Sequence, residues 1–287
     1  MRLRPLLFLA LALAPAAAHA QTTEMESARA QAMGGAFRAL CFDNSAVDLN
    51  PAGLAQFKKV EIEPGYFRSS DGREYAMGFS LADSLTNVTG TGMAYEYRKV
   101  KPDATGAGGL ESQRYALAVG FPVVPDQAWL GMSTKYFKFD YVDPTVRDKK
   151  GWTADIGLLY RPMNWLATGA TFDNLINGNQ AEAPRGLTGG VAVLPAEWVA
   201  ASADVFTDLA STNQDKTGWA LGAQLSPTRQ VALRGGLYRE AVSGKQFWTG
   251  GIGLISENGT IDYSARMPDG GSSKALSHFV TVSLLVF

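Results

Sequence analysis

The chain has 287 residues, with 26 lysines and arginines set against 27 aspartates and glutamates, for a formal net charge of −1. A balance this even, with no clustered basic stretch, excludes the electrostatic footprint of a nucleic-acid binder. Cys41 is the single cysteine, so no internal disulfide can form. It also lacks the second thiol or clustered histidines of a zinc site, and it reads as a small buried apolar residue. No calcium, phosphate or other cofactor motif stands out, so the expected cofactor and metal content is none.

Arg2 and Arg4 precede an apolar stretch over 6–18, and Ala18-His19-Ala20 has the small-x-small pattern of a secretory cleavage site. That stretch is short for a helix crossing about 30 Å of hydrocarbon, and Pro15 interrupts it. The expectation is a signal peptide over 1–20, cleaved near Ala20. No later segment carries the run of about 18 apolar residues that a membrane helix needs.

Residues 21–57 form a second unit. The stretch 27–40 is rich in alanine, contains Gly34-Gly35 and shows no two-residue alternation, which argues against a strand. Further on, Asn50 can cap a short helix whose first position suits Pro51.

From residue 58 to 287 the pattern changes to fourteen alternating segments, each long enough for a tilted strand to cross a bilayer. They lie over 58–68, 73–81, 88–100, 110–121, 128–139, 151–161, 165–172, 185–194, 198–207, 217–225, 230–239, 246–255, 260–267 and 276–287. Trp152, Ala154, Ile156, Leu158 and Tyr160 alternate with Thr153, Asp155 and Gly157; Ile261, Tyr263 and Ala265 alternate with Asp262, Ser264 and Arg266. A one-residue slip would carry charges into lipid at about 2–4 kcal/mol each near the midplane, so the pattern fixes which face is which. Short turns follow even-numbered segments and longer polar loops follow odd-numbered ones, the asymmetry of outer-membrane barrels, with both chain ends in the periplasm.

The fold expected is therefore all-β: a 14-stranded antiparallel transmembrane β-barrel with a short helical N-terminal plug, located in the outer membrane of a Gram-negative envelope. Short alternating strands also build soluble sandwiches and propellers, which is the alternative architecture. Tyr66, Tyr97, Tyr136, Trp165, Trp198, Phe206, Trp248 and Phe287 are candidates for the interfacial aromatic girdles. Terminal Phe287 suits recognition by the barrel-assembly machinery.

With the apolar faces outward, Glu61, Glu63, Glu74, Glu96, Arg98, Arg114, Asp155, Asp204, Arg234, Asp262 and Arg266 point into the lumen. Enclosed charges need partners or water, so a hydrogen-bonded network holding the plug is expected, with a solute-lining role as the alternative. Such an interior disfavours a broad hydrophobic pocket, although Met33, Phe37, Leu40 and Leu54 could create a local one. His278 is the only histidine after the leader; with no Gly-x-Ser-x-Gly and no evident carboxylate beside it, it reads as structural, and no enzyme activity is expected.

Ser27-Ala28-Arg29, Met33-Gly34-Gly35-Ala36-Phe37, Asp43-Asn44-Ser45-Ala46-Val47 and Asn50-Pro51-Ala52-Gly53-Leu54 together resemble the amino-terminal signature of the FadL/TodX and PorV-like outer-membrane superfamily. The resemblance implies that this segment folds back as a hatch in the lumen, with Asn50, Pro51 and Ala52 near its base, and that a hydrophobic cargo passes through the barrel. The loops here are short and polar, as in the smaller PorV-like members. Two functions follow as expectations: passive transport of a small hydrophobic or amphipathic molecule, or a non-transporting scaffold for a secretion or envelope protein. Outer-membrane lipid is the surrounding partner in both.

Overall fold

A computed structural model describes residues 27–56, 58–103, 108–176, 179–180, 183–210, 216–241, 243–270 and 276–286. The leader, its cleavage site and Phe287 lie outside the described residues.

Fourteen strands form one closed antiparallel barrel. They are β1 (Val60–Ser69), β2 (Glu74–Asp83), β3 (Gly90–Val100), β4 (Leu110–Val124), β5 (Ala128–Tyr141), β6 (Lys149–Met163) and β7 (Leu166–Asp173), then β8 (Gly186–Ala196), β9 (Val199–Asp208), β10 (Thr217–Thr228), β11 (Val231–Arg239), β12 (Gln246–Ser256), β13 (Gly259–Pro268) and β14 (Ser277–Leu285). Each pairs with its sequence neighbour, and β1 pairs with β14 to close the wall. A small hairpin, Asn179–Gln180 with Ala183–Pro184, decorates the β7–β8 loop. Closure removes the free edges that lipid could not satisfy. All fourteen expected segments are strands, and the soluble sandwich and propeller are set aside.

Exposure alternates along the strands as the sequence pattern requires. In β6, Trp152, Ile156, Leu158 and Tyr160 are exposed on the outside while Thr153, Asp155 and Leu159 are buried inside. The connections alternate too, with one local exception: residues 70–73 make a tight turn at the loop end, and the β2–β3 connection over 84–89 is longer. The β1–β14 ladder has a gap between Ile62 and Gly65, where Pro64 has no N–H to give. There the Ser283 hydroxyl donates to the Glu63 carboxylate across the seam.

Residues 27–56 occupy the lumen. They form a short helix α1 (Ala28–Ala32) and two 3-10 helices, Asn44–Val47 and Pro51–Ala55. The helix lies against β11–β14, the first 3-10 turn against β1–β4 and the second against β3–β6, so the plug reaches around most of the wall. Met33, Phe37, Leu40, Cys41, Val47, Leu49 and Leu54 are all buried in this packing. Five strands turn small inward residues to the plug: Ala82, Ala94, Ala116, Ala118, Ala167 and Ala192 join its apolar core.

Backbone meets backbone at inward glycines. Gly90, Gly120, Gly131 and Gly157 are aligned across β3–β6. At Gly131 a Cβ would stand 2.2 Å from the Ala52 nitrogen, and on the opposite wall a Cβ at Gly222 would stand 2.4 Å from the Met33 carbonyl oxygen. Neither site has room for a side chain while the plug is seated.

Replacing Gly131 with leucine should unseat the 3-10 turn at Pro51–Ala55 and lower stability by about 1–3 kcal/mol, the usual cost of overpacking. A fall in the thermal unfolding midpoint, with faster proteolysis confined to residues 27–56, is the expected readout. Cys41, wholly buried, should resist a maleimide in the folded barrel and react once it is denatured.

Candidate functional site

The plug is tied to the wall by directed hydrogen bonds as well as by packing. Ser27 caps α1 by accepting from the Ala30 amide at 3.3 Å. After Met33 the chain reverses through Gly34 and Gly35, both at positive φ (68° and 78°), a conformation that suits glycine. The reversal delivers the Phe37 and Arg38 amides to one carboxylate oxygen of Asp204, at 3.0 and 2.9 Å. Ser202 Oγ donates to the Ala36 carbonyl, and Thr249 Oγ1 donates to the Ala32 carbonyl at 3.0 Å.

Two asparagines of the plug read the wall's main chain. Asn44 Nδ2 donates to the carbonyls of Glu61 and Ser80, at 3.2 and 3.1 Å. Asn50 Nδ2 donates to the carbonyls of Arg38 and Leu158, at 2.9 and 3.1 Å, while its Oδ1 accepts from the Ala52 amide at 3.2 Å. Pro51 opens the 3-10 helix behind this cap, and Gly53 lets Cys41 pack against it. The sequence motif Met33, Gly34, Gly35, Phe37, Asn44, Asn50, Pro51, Ala52 and Gly53 is thus a set of seating residues.

All eleven expected luminal side chains lie on the inner face, but they form several separate clusters. One run crosses from wall to plug: Glu74 pairs with Arg98 (2.9 Å), Arg98 with Glu96 (3.1 Å), Glu96 with Arg114 (3.0 Å), and Arg114 forks onto Asp48 of the plug. A second cluster holds Asp155 with Lys135 at 2.8 Å, Ser133 Oγ at 2.9 Å and the Asn174 amide at 2.8 Å. A third joins Arg234 to Asp262 and to Gln224. Glu61 pairs with Lys59, and Arg266 lies over the rings of Phe247 and Phe279. The sequence reading missed Asp48, Lys135 and Lys59. Lys135 shares the parity of Gly131 and Phe137 in β5, which was the available signal.

Above the Gly35–Arg38 turn, toward the loop end, lies a cavity of about 190 Å³. Its floor is Gly35 and Arg38. Its sides include Asp173, Arg185, Thr188, Asp204, Phe206 and Tyr238, with Lys135 reaching in from β5. Phe206 and Tyr238 stack at 5.6 Å and 20°, and Tyr238 continues to Phe247 at 5.9 Å. Farther round, Phe279 meets Phe67 at 4.6 Å.

Two expectations need correction here. Phe206 is not part of a lipid-facing girdle. It shares the parity of Ser202 and Asp204, and its ring fills the space above Gly218, where a Cβ would come within 2.1 Å of it. Likewise Met33, Phe37, Leu40 and Leu54 do not open a local pocket, because they are consumed in packing against wall alanines. The apolar surface available to a ligand comes from the wall.

Outside, a ladder of rings runs across five strands at matching register: Phe79, Tyr95, Tyr115, Tyr136 and Trp152, with centroids 4.9–6.4 Å apart. His278 also faces outward. Its Nε2 meets Ser70 Oγ at 3.0 Å and its Nδ1 meets the Tyr263 hydroxyl at 2.8 Å. A tyrosine, where a charge relay would need a carboxylate, holds Nδ1. At the adjoining turn, hydrogen bonds from the Ser69 hydroxyl and then the Arg73 amide hold the Asp71 carboxyl below its ordinary range.

These features define a plugged fourteen-stranded barrel of the outer-membrane type. Among solved structures it is similar to the toluene transporter TodX of Pseudomonas putida, at 13% identity over 90% of this chain and 98% of that one, with a TM-score of 0.66. It is equally similar to the monoaromatic hydrocarbon channel CymD, at 13% identity over 91% and 96% of the two chains, with a TM-score of 0.65. The chain has the fold of the FadL/TodX-type barrels; no finding singles out the PorV-like branch. No protein-family profile and no curated protein matches the sequence.

Asn50→Leu should destabilise the barrel by about 2–4 kcal/mol, because it strips partners from the buried Arg38 carbonyl and Ala52 amide together. Arg114→Met alone should cost about 3 kcal/mol by removing the guanidinium that the buried Asp48 and Glu96 carboxylates share. Chemical denaturation in detergent, with Arg114→Met/Asp48→Leu as the rescue, measures both effects.

Proposed function

We propose that this chain is a passive outer-membrane channel for small hydrophobic or amphipathic molecules, gated by the segment 27–56. The cavity carries the reading. It sits directly on the plug's reversal, below the loops and against a stacked pair of rings. An apolar cavity of about 150 Å³ accommodates a benzene ring, so about 190 Å³ suits a single-ring molecule with a small polar substituent. Phe206, Tyr238 and Ala220 offer the apolar side, while Arg38, Asp173 and Asp208 offer polar contacts to the substituent.

Passage requires the plug to yield, since its backbone touches the wall at opposite sides, near Gly131 and Gly222. The contacts that must open first are those under the cavity: the Asp204 carboxylate on the Phe37 and Arg38 amides, and Ser202 on the Ala36 carbonyl. The fold shared with two hydrocarbon channels supports this reading, and the transport direction is set by the concentration gradient.

Removing residues 22–40 should raise single-channel conductance in planar bilayers and permit swelling of vesicles in small sugars. Phe206→Ala with Tyr238→Ala should instead slow uptake of a single-ring aromatic by several-fold without opening the barrel to sugars. Unchanged conductance after the deletion would contradict the gating role.

A further inference from the structure

On the outer surface, at the loop end of the β1–β14 seam, one cation is left unanswered. Arg68 faces outward near the end of β1 and stands directly opposite His278 on β14. Among the described residues it makes no hydrogen bond and no ion pair. At the same end of neighbouring strands the pattern is different: Lys99 is paired with Glu111 and Lys138 with Asp140. The carboxylate closest in sequence, Asp71, is already engaged by the Ser69 hydroxyl at 2.6 Å and the Arg73 amide at 2.9 Å.

An arginine on a lipid-facing wall is costly at mid-depth and cheap near the interface. Arg68 is at the interface, one step beyond the outward ring of Tyr66, and its guanidinium rises beside the turn, where Nη2 lies 3.5 Å from the Cβ position of Gly72. The neighbouring groups converge on the same spot. If Tyr263 donates to His278 Nδ1, then Nε2–H donates to Ser70 Oγ and the Ser70 hydroxyl hydrogen is free to point outward. The result is a planar fork of donors beside a held imidazole and a hydroxyl, on a membrane-facing surface, with tyrosine rings beneath it.

We propose that Arg68, Ser70 and His278 form a binding site for the phosphate of a membrane lipid seated against the β1–β14 seam. The guanidinium fork matches two phosphate oxygens, which an ammonium cannot do as well. The acyl chains lie along Tyr66, Val280 and Ile62, which are exposed on the wall directly below. A lipid fits better than a soluble anion, because the cation stands on the wall itself and not on a loop. The acyl chains also cover the place where the ladder is interrupted at Pro64.

The test is native mass spectrometry of the full-length barrel, released from nanodiscs of phosphatidylcholine doped with either phosphatidic acid or diacylglycerol. The expected result is retention of one phosphatidic acid per barrel and no diacylglycerol, with retention falling at least tenfold in Arg68→Gln. His278→Gln should give a smaller loss, and Lys99→Gln, which removes a paired cation of the same height, should give none. Equal retention in Arg68→Gln, equal retention of diacylglycerol, or displacement of the lipid by millimolar inorganic phosphate would each overturn the proposal. Migration of the unboiled variants as folded barrels separates loss of the site from loss of the fold.

Discussion

At membrane depth a main-chain N–H or C=O has no water to fall back on, and closure of β1 onto β14 is what removes the wall's free edges. Everything else in the molecule follows from that closure. Fourteen strands enclose a space too wide for wall side chains to fill by themselves and too polar to stay empty. The segment 27–56 fills it. It is neither a free helix nor a strand, because its own main-chain groups must find partners on the inner wall, and short turns capped by Ser27, Asp43 and Asn50 present those groups more readily than a regular element would.

The plug is held differently at its two ends. Near its base, Asn50 and the Pro51–Ala55 turn are pressed onto the aligned glycines of β3–β6 and bonded to the main chain there. Near the cavity, the 33–38 turn is bonded to two side chains of β9, Ser202 and Asp204, and its backbone meets Gly222 and Gly236 on β10 and β11, with Gly34 and Gly35 making the reversal. The charged run from Glu74 to Asp48 holds the plug to β2–β4, away from the cavity.

Much of this was legible in the sequence because a strand with lipid on one side and water on the other has a period that leaves no slack. The fourteen segments and the eleven inward charges came from parity alone. The misplacement of Phe206 is instructive, since parity with Asp204 put it inside and only its aromatic character suggested the girdle. Other features left no local trace. Arg114 and Asp48 are far apart in the chain and meet only once the plug is seated, and an inward glycine such as Gly131 looks the same in sequence as an outward one such as Gly250. Their meaning depends on how close another backbone comes, which only the assembled barrel defines.

The most direct test of the inside-outside assignment is tryptophan quenching by lipids brominated along their acyl chains, in variants that keep one tryptophan each. Trp129 is turned inward against Ala52, Ala55 and Leu159, whereas Trp152 and Trp248 face out. Strong quenching of Trp152 and Trp248 with Trp129 protected is the result this account requires. Quenching of Trp129 to the same extent, or protection of Trp248, would contradict it.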